Sequence, residues 1–183
     1  MSVYFYLIYY LLFIILILLT LQLLGCAALS GNKGNGYDIK RTSNSNSYGS
    51  VSIEYKDHKL LLDEKTVKLK NKFASESEIN NAASNIPLGG KVIIRIYRST
   101  IGAANTKYFL YVFTKDGKEI FRRKGYNSIA EVPSSGGGMW WNISEVSIPE
   151  YFGNEITLFV VDELSGGRDE FTIKKPAKTS IGS

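Results

Sequence analysis

From residue 51 onward, apolar and polar side chains alternate with a period of two. Val51, Ile53 and Tyr55 alternate with Ser52, Glu54 and Lys56, the pattern of a strand with one dry and one wet face. Asp57-His58 reads as a turn. Leu60 and Leu62, then Val67 and Leu69 beyond a break at Asp63-Glu64, continue the alternation and predict further antiparallel strands. One segment departs from it. Ser75 and Glu78 form a capping-box pair, Ile79, Ala82, Ala83 and Ile86 share one helical face, and Pro87 with Gly89-Gly90 closes the segment, so one short helix is predicted here.

The second half resumes the strand pattern. Val92 to Tyr97 predicts a strand, and Tyr108 to Phe113 is apolar on both faces, which predicts a central strand covered on its second face by the helix or the preceding tether. Asp116-Gly117 between two such runs signals a hairpin, because glycine accepts positive φ without penalty; the return strand is Lys118 to Lys124. An irregular region, Tyr126 to Trp141, precedes an extended segment, Asn142 to Pro149. Strands over Ile156 to Val161 and around Phe171 and Ile173 finish the pattern, with a turn from Asp162 to Asp169. Seven to nine short strands with turns every eight to twelve residues predict an all-β antiparallel β-sandwich, immunoglobulin-like or C2-like.

The first 26 residues are different in kind. Val3 to Cys26 is almost continuously apolar, no charged side chain precedes Lys33, and the run closes on Leu23-Leu24-Gly25-Cys26. About 20 apolar residues suffice to span a bilayer, whereas a plain secretory signal has a shorter apolar core and a basic start. The ending resembles the lipobox of bacterial lipoproteins: an apolar residue three before the cysteine, then glycine or alanine, then cysteine. That resemblance covers the N-terminal region only. It implies cleavage before Cys26, thioether attachment of a diacylglycerol to Cys26, and often acylation of the new amine by a fatty acid such as palmitate. One acyl chain binds a bilayer only marginally, at about 0.8 kcal/mol per buried methylene, so two or three chains are what make such an anchor firm.

The resulting organisation is a signal peptide over 1–25, a tether over 26–50, a sandwich over 51–176 and a tail over 177–183. The tether assignment rests on Gly31, Gly34, Gly36 and the run Thr42 to Ser47, a flexible composition. The alternative is an uncleaved single-pass helix. Lys33, Lys40 and Arg41 would then favour a cytoplasmic domain.

Composition narrows the function. The 183 residues carry a net charge of +5 with both signs interspersed, which suits an anionic lipid or polymer surface but is no nucleic-acid signature. One cysteine, given to lipid, leaves no internal disulfide, and one histidine leaves no zinc ligand set. No G-x-S-x-G elbow is present, so no catalytic residue, enzyme activity or cofactor is expected. An enzyme acting on envelope polysaccharide through Glu119 and Glu131 is the outside alternative. Met139, Trp140 and Trp141, entered through Gly136-Gly137-Gly138, are the candidate binding residues, since tryptophan anchors interfaces; one Trp buried and one exposed is expected from strand geometry. Asp162 and Asp169, in an end loop, are the candidate calcium ligands. His58 reads as an exposed turn residue, Arg122-Arg123-Lys124 as a solvated strand edge, and Asn142-Ile143-Ser144 matches a glycosylation acceptor. The expected setting is the cell envelope. The partners expected there are membrane lipid through Cys26 and an envelope protein or polymer.

Overall fold

The computed structural model describes residues 36–44, 49–132 and 138–176. The apolar run, Cys26 and the tail lie outside the described residues. Eight strands form two antiparallel sheets. The first sheet orders β1 (Asp38–Asn44), β8 (Arg168–Lys174), β7 (Glu155–Asp162), β4 (Phe109–Lys115) and β5 (Lys118–Lys124). The second orders β2 (Gly49–Lys56), β3 (Lys91–Arg98) and β6 (Trp140–Ser147).

A single core cluster draws on both sheets. Val92, Ile94 and Ile96 of β3 join Phe109, Tyr111 and Phe113 of β4, Ile156, Leu158 and Val160 of β7, and Phe171 and Ile173 of β8. These positions differ by two along each strand, so the alternation in the sequence is the wall of the core. The fold is therefore an all-β, sandwich-like arrangement. The hairpin at Asp116-Gly117 forms as its residues require: φ is 50° at Asp116 and 73° at Gly117, the positive pair of a type I′ turn. β5 is the outer strand of its sheet, and Arg122, Arg123 and Lys124 are exposed along it.

Three expectations change. The stretch expected to form strands around Leu60–Leu69 is a helix, α1 (His58–Lys70), so the described residues contain two short helices rather than one. Asp57 is its N-cap and not a turn residue. The Asp57 carboxylate accepts the Leu60 N–H at 2.8 Å, while Lys68 and Lys70 sit in the last turn, where cations favour the negative end of the helix. Leu61 breaks the alternation, and leucine, lysine and glutamate are all good helix formers. The capping-box segment is α2 (Glu76–Ser84), with Glu78 accepting from Ser75 N–H at 2.8 Å. It packs chiefly on α1, and neither helix contains a buried residue.

Secondly, the stretch read as tether contains β1, which pairs with β8 from Asp38↔Lys174 to Asn44↔Asp169. Its side chains are mostly exposed, so an edge strand hides inside a tether-like composition. Thirdly, neither described helix packs chiefly on β4; the two pack on each other. Leu110 and Val112 are half-buried between Lys124 and Arg122 of β5 and Val161 and Phe159 of β7. Among the described residues, no helix is long and apolar enough to cross a membrane.

The register defines two ends. At the proximal end, the chain emerges at Gly36–Tyr37, both helices lie between β2 and β3, and the β4–β5 turn sits alongside. At the loop end are the connections 99–108, 125–132 and 163–167.

Candidate functional site

The loop end is held by two devices that the alternation does not announce. The first is an ion pair between the sheets. Arg98 ends β3 and Asp162 ends β7; they are 1% and 3% exposed, and Arg98 Nε and Nη2 donate to Asp162 Oδ2 at 3.3 and 3.2 Å. Arg98 Nη1 also donates to the Tyr97 carbonyl at 2.8 Å. The guanidinium lies 5.0 Å over the Phe109 ring. Asp162 Oδ1 accepts the N–H groups of Leu164 and Ser165, so one carboxylate closes the β7–β8 turn and anchors it to the other sheet. Gly49 is required beside this pair, because a Cβ there would meet the Tyr97 carbonyl oxygen at 2.1 Å.

The second device is a polar network. Thr106 Oγ1 donates to the Tyr126 carbonyl at 2.7 Å and meets Ser128 Oγ at 2.7 Å. Asn142 Nδ2 donates to Ser128 Oγ at 2.9 Å and to the Ala104 carbonyl at 3.1 Å. Asn105 Oδ1 accepts the N–H groups of Ser128 and Lys107. Buried polar groups of this kind rigidify when each has its partners. Here they lock the 99–108 loop to the 125–132 loop. Gly125 lets the two approach: a Cβ would fall 1.9 Å from the Thr106 carbonyl oxygen.

On this frame sit exposed apolar side chains: Ile101, Tyr126, Ile129 (88% exposed), Val132, Met139 and Leu164. Large apolar groups held rigidly in water are the raw material of a contact surface. The predicted residues fall here, in altered form. Met139 is exposed, but Trp140 and Trp141 are both half-buried rather than one in and one out. They do face opposite ways. Trp140 pairs with Arg98 and shares the parity of buried Asn142, while Trp141 stands opposite Tyr97 and bridges to Glu131 through the backbone.

Asp162 and Asp169 are not brought together as a cation site. Asp162 belongs to Arg98, and Asp169, fully buried, pairs with Arg41. Among the described residues no three acidic, histidine or cysteine side chains are grouped to hold a metal ion. Glu119 pairs with Arg122 near the β4–β5 turn, and Glu131 lies at the loop end, so the two carboxylates sit at opposite ends of the sheets. Asn142 is buried and its amide is engaged, which closes it to a glycan. His58 opens α1 half-buried, its Nδ1 3.3 Å from the Pro87 carbonyl. Cys26 lies outside the described residues.

The proximal end carries aromatic packing. The Tyr37 and Tyr55 rings meet edge-on at 4.8 Å, and Tyr55 meets Phe152 at 5.6 Å. Burial raises the pKa of the Tyr55 hydroxyl far above the usual phenol range, and it donates to the Gly89 carbonyl at 2.8 Å. Burial likewise raises Tyr37. The hydrogen bond to the Tyr151 hydroxyl raises the Lys175 ammonium. All of these groups keep their ordinary neutral-pH charge state, so none is poised as an acid or base. A cleft of about 290 Å³ lies nearby, lined by Lys115, Ile120, Phe121, Glu150 and Tyr151 among others.

The signal for the network was present at Asn142. A polar residue on the buried parity of a strand demands partners. No family model, no curated protein and no solved structure matches the chain.

Proposed function

We propose that this chain is a cell-envelope lipoprotein, acylated at Cys26, whose β-sandwich is a binding module that presents its loop end to an envelope protein or polymer. The observation that carries the reading is the uncharged, almost continuously apolar run from Val3 closing on Leu23-Leu24-Gly25-Cys26, with small and polar residues following at once. The fold supports the second half of it. The described chain begins at Gly36, at the proximal end, and the exposed apolar side chains of the loop end lie at the opposite end of the sheets. No catalytic step and no cofactor enters this reading. In fold detail the reading is C2-like rather than immunoglobulin-like. A constant-type immunoglobulin sandwich pairs its first two strands, whereas here β1 pairs with β8 and β2 with β3 in the other sheet.

The length of the apolar run also favours a second reading, an uncleaved single-pass anchor. Metabolic labelling with a clickable fatty acid separates the two. The wild-type chain takes the label and Cys26→Ser does not; a wild-type chain that stays unlabelled refutes the lipoprotein reading and leaves the anchor.

A further inference from the structure

We propose that the α1–α2 hairpin is a membrane-contacting arm, with Phe73 entering the acyl region and Lys68, Lys70 and Lys72 meeting anionic headgroups. The proposal rests on the chain being membrane-held through its N-terminal run.

Four observations converge on this arm. First, the hairpin is an appendage: neither helix has a buried residue, and each packs chiefly on the other. Second, Phe73 terminates α1 in the left-handed region, with φ 58°. Its N–H donates to the Lys70 carbonyl at 2.9 Å, and the Ala74 N–H donates to the Leu69 carbonyl at 3.1 Å. This is Schellman closure, whose left-handed position is usually glycine. Third, the phenyl ring on that strained residue is 96% exposed. A side chain that strains the backbone and gains no contact within the fold gains its contact elsewhere. Fourth, Lys68, Lys70 and Lys72 lie within five positions of one another, and none makes an ion pair among the described residues.

The occupant follows from where the chain leads. The apolar run ends at Cys26, and the ten residues from Ala27 to Gly36 reach about 35 Å at full extension. α1, with 13 residues, is about 20 Å long. The arm belongs to the same proximal end as Gly36, since Tyr37 packs on Tyr55 and the Tyr55 hydroxyl bonds Gly89 just after α2. A bilayer holding the N-terminal run is thus the extended apolar surface within reach. Basic residues around an aromatic side chain match the chemistry of an anionic lipid interface.

The test uses the full chain in nanodiscs of neutral or anionic lipid, with a nitroxide on Asn71→Cys. A second label on Gly102→Cys serves as the loop-end control; that glycine has open space around it. Accessibility to oxygen against a water-soluble nickel chelate reads depth. In anionic discs the label at 71 is expected to favour oxygen several-fold over the label at 102. Phe73→Gly is expected to return label 71 to the aqueous value while leaving the urea midpoint unchanged or higher. If labels 71 and 102 are equally aqueous, or if Phe73→Gly leaves label 71 where it was, the proposal fails. Spin–spin coupling between copies at residue 71 in neutral discs also overturns it, in favour of a second chain as occupant. The count of nitroxides per chain reports the anchor separately. One label per chain means Cys26 is blocked; two mean its thiol is free, and the depth measurement is then repeated on Cys26→Ser.

Discussion

Asp162→Asn is the most informative single change in the fold. Asparagine keeps an oxygen for the Leu164 and Ser165 N–H groups, so the β7–β8 turn survives, while the charge and the acceptor that takes Arg98 Nε and Nη2 are lost. What remains is Arg98, 1% exposed, with its bonds to the Ser50 and Tyr97 carbonyls and the Phe109 face but no counter-charge. Removing one partner of a buried ion pair costs about 3–5 kcal/mol, a large part of a typical stability of about 5–15 kcal/mol. In urea, with a slope of about 1–3 kcal/mol/M, the midpoint is expected to fall by about 1 M or more. The assay is urea unfolding of the full chain in detergent, followed by emission of Trp140 and Trp141; Trp140 pairs with Arg98 across the sheet. Arg98→Met on top of Asp162→Asn is expected to restore most of the loss, because the stranded charge goes with it. A shift below about 0.3 M for Asp162→Asn would refute the view that this pair locks the two sheets together.

Gly125→Ala, which places a methyl 1.9 Å from the Thr106 carbonyl, is expected to lower stability by about 1–3 kcal/mol. Gly117→Ala, in open space at φ 73°, should cost only about 1 kcal/mol of left-handed backbone strain; equal urea midpoints for the two variants would contradict the close-approach argument. Tyr111→Phe removes a buried hydroxyl that has no hydrogen-bond partner of normal length, although the Ser144 side chain still acts on it; burial pushes its pKa up to about 12. It is expected to leave stability unchanged or raise it by about 1 kcal/mol, and a clear loss in the same assay would show that Ser144 satisfies the hydroxyl. The Ser75 N–H and hydroxyl bonds hold the Glu78 carboxyl below its ordinary pKa. Its contribution is therefore present above the unfolded value of about 4.3 and is lost as pH falls through the lower folded value. The Ser75 amide resonance, followed by NMR through that window, should titrate, and Glu78→Gln should abolish the titration.

Strands with a true period of two were legible because the core reads one parity of each. Val92, Ile94 and Ile96 are buried as the alternation requires, and the Asp116-Gly117 hairpin and the Ser75 cap were legible from their turn and cap chemistry. α1 was obscured because Asp57 serves equally as a turn former and an N-cap, and the leucines after it satisfy either period over so short a span. β1 was obscured because an edge strand with one shielded row carries few apolar residues. The ion pair was illegible for a different reason. Arg98 and Asp162 are 64 positions apart, and each looks like an ordinary charged strand end until the two sheets bring them together. The loop-end surface was half-legible. Met139 and the tryptophans marked the region, but the network that stiffens it depends on the meeting of three separate stretches.

The account turns on what becomes of Cys26. The intact mass of the chain, extracted from the membranes of cells that make it, measures this directly. The predicted result is a chain that begins at Cys26 and carries the added mass of two or three acyl chains. A chain that begins at Met1, with no acyl mass on it, would contradict the account.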